Sequence, residues 1–205
     1  YPTFGGVMKN HFKGHDKIYA GDFVEYTPNT GPQAGAEVKV LKYYEVAKAA
    51  TNSDTEVLIV RDGYHHVPFA GDNIMIGQKD FATKATGVTV TAVEKTTDSG
   101  KDVWKLTLSA TLGVALKVKD VLVEAEKAGT AVLPMVTNPN AYADKDMDFL
   151  YDPTTGDDDF EGARYLFTPA LAQEDTVIDL NAIGVLPPAV LALNKSRVKG
   201  WFWFV

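Results

Sequence analysis

The chain has 205 residues, of which 45% are hydrophobic and 23% are charged, so it can build a packed core and is not disordered throughout. Its formal net charge of −7 argues against nucleic acid as a main partner, because phosphate binding requires a basic surface. The absence of cysteine removes disulfides, thiol nucleophiles and cysteine-based zinc sites. No stretch approaches the ~20 apolar residues of a membrane helix, so we expect no membrane partner.

The first part of the chain, residues 1–35, is rich in Gly, Pro, Asn and Thr. This composition is typical of an irregular segment. We therefore predict an N-terminal arm over 1–35 that contains one short strand, DFVEY.

The sequence pattern changes at residue 36, where short apolar runs with a period of two begin to alternate with turn signals. The runs are EVKVLKYYEVAKA, EVLIVR, NIMIG, GVTVTAVEK, DVWKLTLSA and VKDVLVEAE. Ser99-Gly100, between two of these runs, predicts a hairpin turn. The chain is thus expected to be mainly β, with a small β-barrel or sandwich over 36–128.

A weak internal repeat runs through these segments: YAGDFVEY (19–26), FAGDNIMI (69–76) and, more loosely, LKVKDVLVEA (116–125). Each copy places an Asp just before an apolar strand. An Asp in this position bonds its own backbone and sets the entry of the strand. We predict this turn role for the repeated Asp, with a functional role as the alternative.

The last part, 129–205, is loop-rich and acidic. GARYLF and DTVIDL are typical of strands, Pro188 is a candidate helix start, and RVKGWFWFV predicts a final strand. We predict a mixed α+β C-terminal subdomain over 129–205.

Motifs of catalysis are missing from the sequence. It has no G-x-S-x-G, no P-loop, no G-x-G-x-x-G and no H-E-x-x-H. The histidines form two pairs, His11 with His15 and His65 with His66, which fall short of the three or four convergent ligands of a zinc site. We expect polar surface or interface positions for them. Missing motifs lower the expectation of catalysis without excluding it, and we predict a protein that is not an enzyme and binds no cofactor.

The acidic segment 144–161 contains eight of the 27 carboxylates. Asp144, Asp146 and Asp148 begin like a calcium loop, but Phe149 and Thr155 occupy the positions where that loop needs Gly and Glu. We expect a solvated acidic loop, with these three aspartates as weak calcium candidates. A pair of these carboxylates serving a glycosidase is a further alternative.

The sequence ends in an uncharged aromatic segment, Trp201, Phe202, Trp203, Phe204 and Val205. Burying four aromatic side chains contributes roughly 6–12 kcal/mol, which rivals the stability of a whole domain. As a strand, this segment is apolar on both faces and requires cover on both. We predict that it forms an oligomer interface, with an internal core strand as the alternative.

Three features together carry a resemblance: the strand entries Gly21-Asp22 and Gly71-Asp72, the run LKVKDVLVEAEKAGTAVLP, and the last segment, LPPAVLALNKSRVKGWFWF. Over residues 36–205 their order resembles head fiber and capsid decoration proteins of tailed bacteriophages. The resemblance implies a non-enzymatic virion protein on the capsid surface, assembled as a homotrimer. It implies the phage capsid protein as a partner, with a host-surface glycan as a further candidate. No catalytic residues carry over from this family.

Two alternatives from other functional classes stay open. A carbohydrate-binding module, assisted by calcium, predicts exposed Tyr or Trp beside the 144–161 carboxylates. A carboxylate-dependent hydrolase predicts two acids ~5–10 Å apart in a cleft. The virion protein is favoured because such a protein needs shape and interfaces rather than a catalytic motif.

Overall fold

The computed structural model describes residues 4–10, 12, 17–27, 36–63, 65, 66, 68–142, 146–148, 164–167, 177, 178, 186–190, 203 and 204. The chain is mainly β, as predicted. It divides into two compact units, Tyr1–Leu41 with Asn138–Gln173 and Lys42–Thr137 with Glu174–Val205. The predicted boundaries at 35/36 and 128/129 differ from these divisions and stay predictions.

The strands of the described residues are, in chain order, β1 (Phe4–Met8), β2 (Lys17–Ile18), β3 (Phe23–Thr27), β4 (Ala36–Val40), β5 (Tyr43–Glu45), β6 (Glu56–Val60), β7 (Asn73–Ile76), β8 (Ala85–Asp98), β9 (Lys101–Leu108), β10 (Val121–Glu124), β11 (Gly129–Val132), β12 (Ala141–Tyr142), β13 (Met147–Asp148), β14 (Arg164–Phe167), β15 (Val177–Ile178) and β16 (Trp203–Phe204).

The first unit contains a sheet of order β12-β3-β4-β1-β14, in which β1 and β4 are parallel and the other neighbours antiparallel; β13 pairs with β2 separately. Its strand β3 confirms the strand predicted at DFVEY. The arm predicted for 1–35 is not confirmed, because β1, β2 and β3 all take part in sheets. The Gly-rich FGGVM of β1 lacks the alternation that identifies a strand from sequence, so its composition predicts an irregular segment instead.

Two asparagine side chains extend this sheet by replacing backbone partners. Asn10 donates from Nδ2 to the Val40 carbonyl (2.9 Å) and accepts the Val40 N–H at Oδ1 (2.6 Å). Asn140 forms the same pair of bonds with the backbone of Tyr26, at 2.9 and 2.8 Å. Each amide therefore satisfies one donor and one acceptor that would otherwise require a strand.

The second unit contains a sheet of order β5-β10-β7-β8-β9-β6, antiparallel throughout, with β11 paired to β8. All six of these strands contribute to one hydrophobic core. Its buried members are Tyr44, Val46, Val57, Ile59, Ile74, Val88, Val90, Leu106, Leu108, Leu112, Leu116 and Leu122. The alternation of apolar and polar residues that predicted these strands is the pattern that directs one face of each strand into this core.

The sheet does not form a closed barrel, so the barrel prediction is wrong. Its first and last strands approach each other at a single bridge, Val46↔Ile59, beside a hydrogen bond from the Ala47 N–H to the Leu58 carbonyl (2.9 Å). Closure requires a continuous ladder between these strands. After Ala47 the segment that follows β5 turns away from β6, and Ala50 pairs with Leu116 instead.

The hairpin predicted at Ser99-Gly100 is confirmed. Asp98 pairs with Lys101 across the two-residue turn that joins β8 to β9. Ser99 and Gly100 have φ angles of 51° and 77°, the two positive values of a type I′ turn.

The turn role predicted for the repeated Asp is confirmed in all three copies. The side chains of Asp22, Asp72 and Asp120 each accept the backbone N–H of the residue three positions earlier, at 2.7, 3.2 and 2.7 Å. The residue before the Asp has positive φ each time: 93° at Gly21, 112° at Gly71 and 73° at Lys119.

The described parts of the C-terminal region include all three predicted strands, at GARYLF, DTVIDL and RVKGWFWFV, and helical residues at 188–190. The helix prediction at Pro188 agrees with this start, and its continuation lies outside the described residues. The α+β subdomain as a whole is not confirmed. Among the described residues, no helix has the length and apolar character needed to span a bilayer.

Candidate functional site

The aromatic end of the chain is described at two of its five residues. Trp203 and Phe204 form β16, which pairs in parallel with Val177 and Ile178 of β15. Trp201, Phe202 and Val205 lie outside the described residues. The oligomer interface predicted over 201–205 stays a prediction.

The calcium candidates are described only in part. Asp146 accepts hydrogen bonds from Lys17 Nζ and from the Ala20 N–H (2.8 Å). Asp148 lies opposite Lys17 in the backbone register of β13 and β2. The bond from Lys17, with that from Ala20, holds the pKa of the Asp146 carboxyl below its usual value. Lys17 thus offsets the charge of Asp146 within the protein. Asp144 lies outside the described residues, and calcium binding by the three aspartates stays a prediction.

Of the surface or interface positions expected for the histidines, the surface position is wrong for His65 and His66, because both side chains are buried. The backbone N–H of His65 binds the Asp62 carboxylate at 3.0 Å, and its ring Nδ1 lies 2.9 Å from the same group. Tyr43 packs edge-on against the imidazole, with 5.7 Å between ring centroids. No group of three or more His, Asp or Glu with metal-binding geometry occurs in the described part of the chain. His11 and His15 lie outside it.

The second unit contains a buried ionic cluster that the sequence did not predict. Lys42 and Asp72 form an ion pair with 3.2 Å between Nζ and Oδ2, and their side chains are 0% and 2% exposed. Glu124 is 4% exposed, and its backbone N–H donates to the Lys42 carbonyl at 3.2 Å. Charged residues are almost never buried so completely, because burial removes their hydration.

Strand register brings the three cluster residues onto one face. Strand β10 pairs antiparallel with β5, and Leu122 lies opposite Tyr44. Two residues further along β10, Glu124 therefore lies opposite Lys42, the residue just before β5. On its other side β10 pairs with β7 through Glu124↔Ile74, which places Asp72 diagonal to Glu124. Opposite residues of an antiparallel pair have Cβ atoms roughly 4.5–5.5 Å apart, and diagonal ones lie somewhat farther. Glu124 at the end of β10, Lys42 just before β5 and Asp72 just before β7 therefore lie next to one another on the face that also carries the core.

Oxygen Oδ2 of Asp72 is the centre of the cluster. Besides Lys42 Nζ, it accepts the Phe69 N–H at 3.2 Å and lies 3.5 Å from the Tyr44 hydroxyl. The Phe69 ring lies 5.0 Å from Lys42 Nζ and covers it. The residue that makes the predicted turn bond thus also holds a buried ammonium group.

A surface groove of about 650 Å³ lies between the 48–58 segment and the β8–β9 hairpin. Four hydroxyl side chains, Ser53, Thr55, Thr96 and Thr97, line it together with charged residues and the apolar Ala49, Ala50 and Leu58. Its size suits a small polar molecule. Its lysines are already paired with carboxylates, so the lining has no strong preference for anions.

Those lysine–carboxylate pairs are well formed. Lys48 Nζ lies 2.9 Å from Asp98, and Lys105 Nζ lies 3.2 Å from Glu56 and 3.4 Å from Glu94. The Lys48 bond lowers the pKa of the Asp98 carboxyl. The bonds to Glu56 and Glu94 raise the pKa of Lys105.

Trp104, the one described tryptophan of the second unit's large sheet, is covered by cations. Arg61 and Lys95 lie 5.2 and 5.5 Å from its ring centroid, and they come from the two sides that flank β9. Arg61 is also held by Asp102 at 3.2 Å. The ring is therefore not an open platform for stacking a sugar.

In the comparisons with known proteins, the chain matches no family model, no curated protein and no solved structure.

Proposed function

We propose that this chain is a non-enzymatic structural protein of a virion that decorates or projects from the capsid of a tailed bacteriophage and acts through homotrimeric assembly. The observation that carries the assembly is the pair β15–β16, which joins Val177 and Ile178 to Trp203 and Phe204. Parallel strands are normally covered on both faces, and a two-stranded sheet is marginal in water by itself. A second copy of the chain supplies such cover.

The β8–β9 hairpin supports a role in contacts outside the chain. Strand β8 is 14 residues long, and residues 94–97 and 99–102 are exposed. The hydrogen-bonded pairing continues to the turn at Asp98↔Lys101, so this is a stiff projection rather than a loose loop. A rigid, charged projection suits contact with a shell protein, the partner that the resemblance implies.

The assembly is tested by native mass from light scattering, on the intact chain and on a chain ending at Lys199. We expect a trimer for the intact chain and a folded monomer for the shortened one, with folding checked by circular dichroism. The point variant Trp203→Glu should give the same monomer. A monomeric intact chain would remove the assembly argument.

The capsid role is tested by mixing the purified chain with empty shells of the phage that encodes it and sedimenting them. Co-sedimentation that saturates at a fixed ratio to the capsid protein is the expected result. Failure to bind shells, together with glycan binding that a chelator abolishes, would favour the carbohydrate-binding alternative.

A further inference from the structure

We propose that Lys42 and Asp72 become joined by an intramolecular amide bond between Nζ and Cγ, and that Glu124 relays the protons. This cross-link would join the start of β5 covalently to the turn before β7. It goes beyond the proposed virion role and does not rest on it, because it depends only on the second unit.

The first requirement for the reaction is proximity. Lys42 Nζ lies 3.2 Å from Asp72 Oδ2, which places the nitrogen beside the carboxyl carbon that it must attack. Because Oδ2 is bonded directly to Cγ, this contact keeps Nζ close to the carbon, and reacting groups held close in a fixed orientation react as if at very high concentration. Both side chains are essentially sealed from solvent, so the pair keeps this geometry.

The second requirement is that both groups react in their neutral forms. In water, an ammonium has no lone pair and a carboxylate is a poor electrophile. Burial disfavours charged forms, so it favours proton transfer from Lys42 to Asp72, which gives an amine and a carboxylic acid. Removing bulk water also disfavours hydrolysis of the amide that forms.

The third requirement is stabilisation of the charge that develops on oxygen. When Nζ adds to Cγ, negative charge develops on Oδ2. The Phe69 N–H at 3.2 Å and the Tyr44 hydroxyl at 3.5 Å already point at this atom. Preorganised donors of this kind lower the barrier to addition at a carbonyl.

The fourth requirement is a group that moves protons. Glu124 is buried and lies opposite Lys42 and diagonal to Asp72 on the same face of the sheet. From that position it takes a proton from the attacking nitrogen and delivers it to the leaving oxygen, which is general acid–base catalysis.

The step is balanced without any co-reactant. The N–C bond forms, and the bond from Cγ to Oδ1 breaks. Two of the three ammonium protons leave with that oxygen as water, the third stays on the amide nitrogen, and Glu124 ends in its starting protonation state. Nothing is oxidised or reduced.

The competing possibility is that Lys42 and Asp72 remain an ion pair. The decisive measurement is the intact mass of the denatured full-length chain. We expect a mass lower than the sequence mass by one water molecule, and a branched peptide in the digest that joins the segments around residues 42 and 72. A mass equal to that of the sequence would overturn the proposal.

Loss of water at another place would also overturn it. The Asp62-Gly63 sequence is the obvious candidate, because dehydration there gives a succinimide without any branch. The digest separates the two cases, since only the amide between Lys42 and Asp72 joins two peptides.

Variants then test the role of each group. Lys42→Arg should restore the unmodified mass of the variant chain, whereas Asp72→Asn should link with loss of ammonia in place of water and so reach the same mass as the linked parent chain. Glu124→Gln should leave the chain folded and unlinked, while the matched variant Glu126→Gln, at an exposed position nearby, should link fully. Full linkage in Glu124→Gln would remove Glu124 from the mechanism.

Discussion

The turns at residues 69–72 and 117–120 have the same hydrogen bonds but different surroundings. In each, an Asp side chain accepts the N–H three residues earlier, and the Asp N–H returns a bond to the carbonyl of that residue. Asp72 is buried against Lys42, whereas Asp120 is half-buried at the surface. A local motif therefore determines how the chain turns, and the environment determines what else the carboxylate does.

The largest expected difference between the two turns comes from removing each carboxylate. Asp72→Ala removes the group that Lys42 contacts in the buried cluster, as an ion pair or as the proposed amide, which should lower the free energy of unfolding by about 3–5 kcal/mol. Asp120→Ala loses one turn bond and should cost only about 1 kcal/mol. Urea denaturation of both variants measures the contrast, and equal losses would show that burial of Asp72 adds nothing.

A second contrast concerns the residue before the Asp. Gly71 has φ of 112°, a conformation that strains any residue with a Cβ, so Gly71→Ala should destabilise the chain by about 1–2 kcal/mol. A Cβ there meets only the Phe69 ring edge at 3.7 Å, so the loss would come from the backbone rather than from a clash. Thermal unfolding checks it; an unchanged midpoint contradicts it.

The surface turn offers the reverse substitution. Lys119 has φ of 73°, so Lys119→Gly should relieve strain and raise stability, by up to about 1 kcal/mol after the entropy cost of glycine. Lys117→Gly, two residues earlier and without positive φ, serves as the control and should destabilise. A gain in both variants would indicate that strain at Lys119 is not the cause.

The smallest effect is expected from a half-buried surface carboxylate, Asp98 at the hairpin tip. Lys48 lowers its pKa in the folded chain, so its contribution to stability is present above the unfolded pKa and is lost as pH falls through the folded value. Asp98→Asn should therefore make stability fall less steeply on acidification, and added salt should shrink the difference. Urea midpoints across the acidic range measure this. A steeper fall in the variant would reverse the sign of the argument.

Features determined by a few neighbouring residues could be predicted from the sequence. The Ser99-Gly100 hairpin and the three Asp turns depend on contacts within four residues, and the strands of the second unit follow from alternation. The Lys42–Asp72–Glu124 cluster could not be predicted, because Lys42 and Asp72 are 30 residues apart and meet only through the register of β5, β10 and β7.

Other misses have similar causes. Strand β1 was missed because FGGVM pairs through its backbone and shows no polar alternation. The barrel prediction is wrong because the number of strands does not determine whether the last strand pairs with the first. Here only the bridge Val46↔Ile59 connects those two strands. The burial of His65 follows from its bonds to Asp62 and its contact with Tyr43, and no pattern in the sequence associates His65 with Tyr43.

The far edge of β8 has a consequence for how the protein behaves at high concentration. In the described part of the chain, β8 beyond Val90 pairs with β9 on one side only, which leaves open the backbone of eight residues, Thr91 to Asp98. An open edge of this length is a template for strands of other molecules. The bulge at Val90/Ala92 and the charges of Glu94 and Lys95 disfavour the pairing of another strand with this edge. Two charged side chains and one irregular residue therefore protect this edge, and neutralising those charges should make it easier for strands of other molecules to pair there.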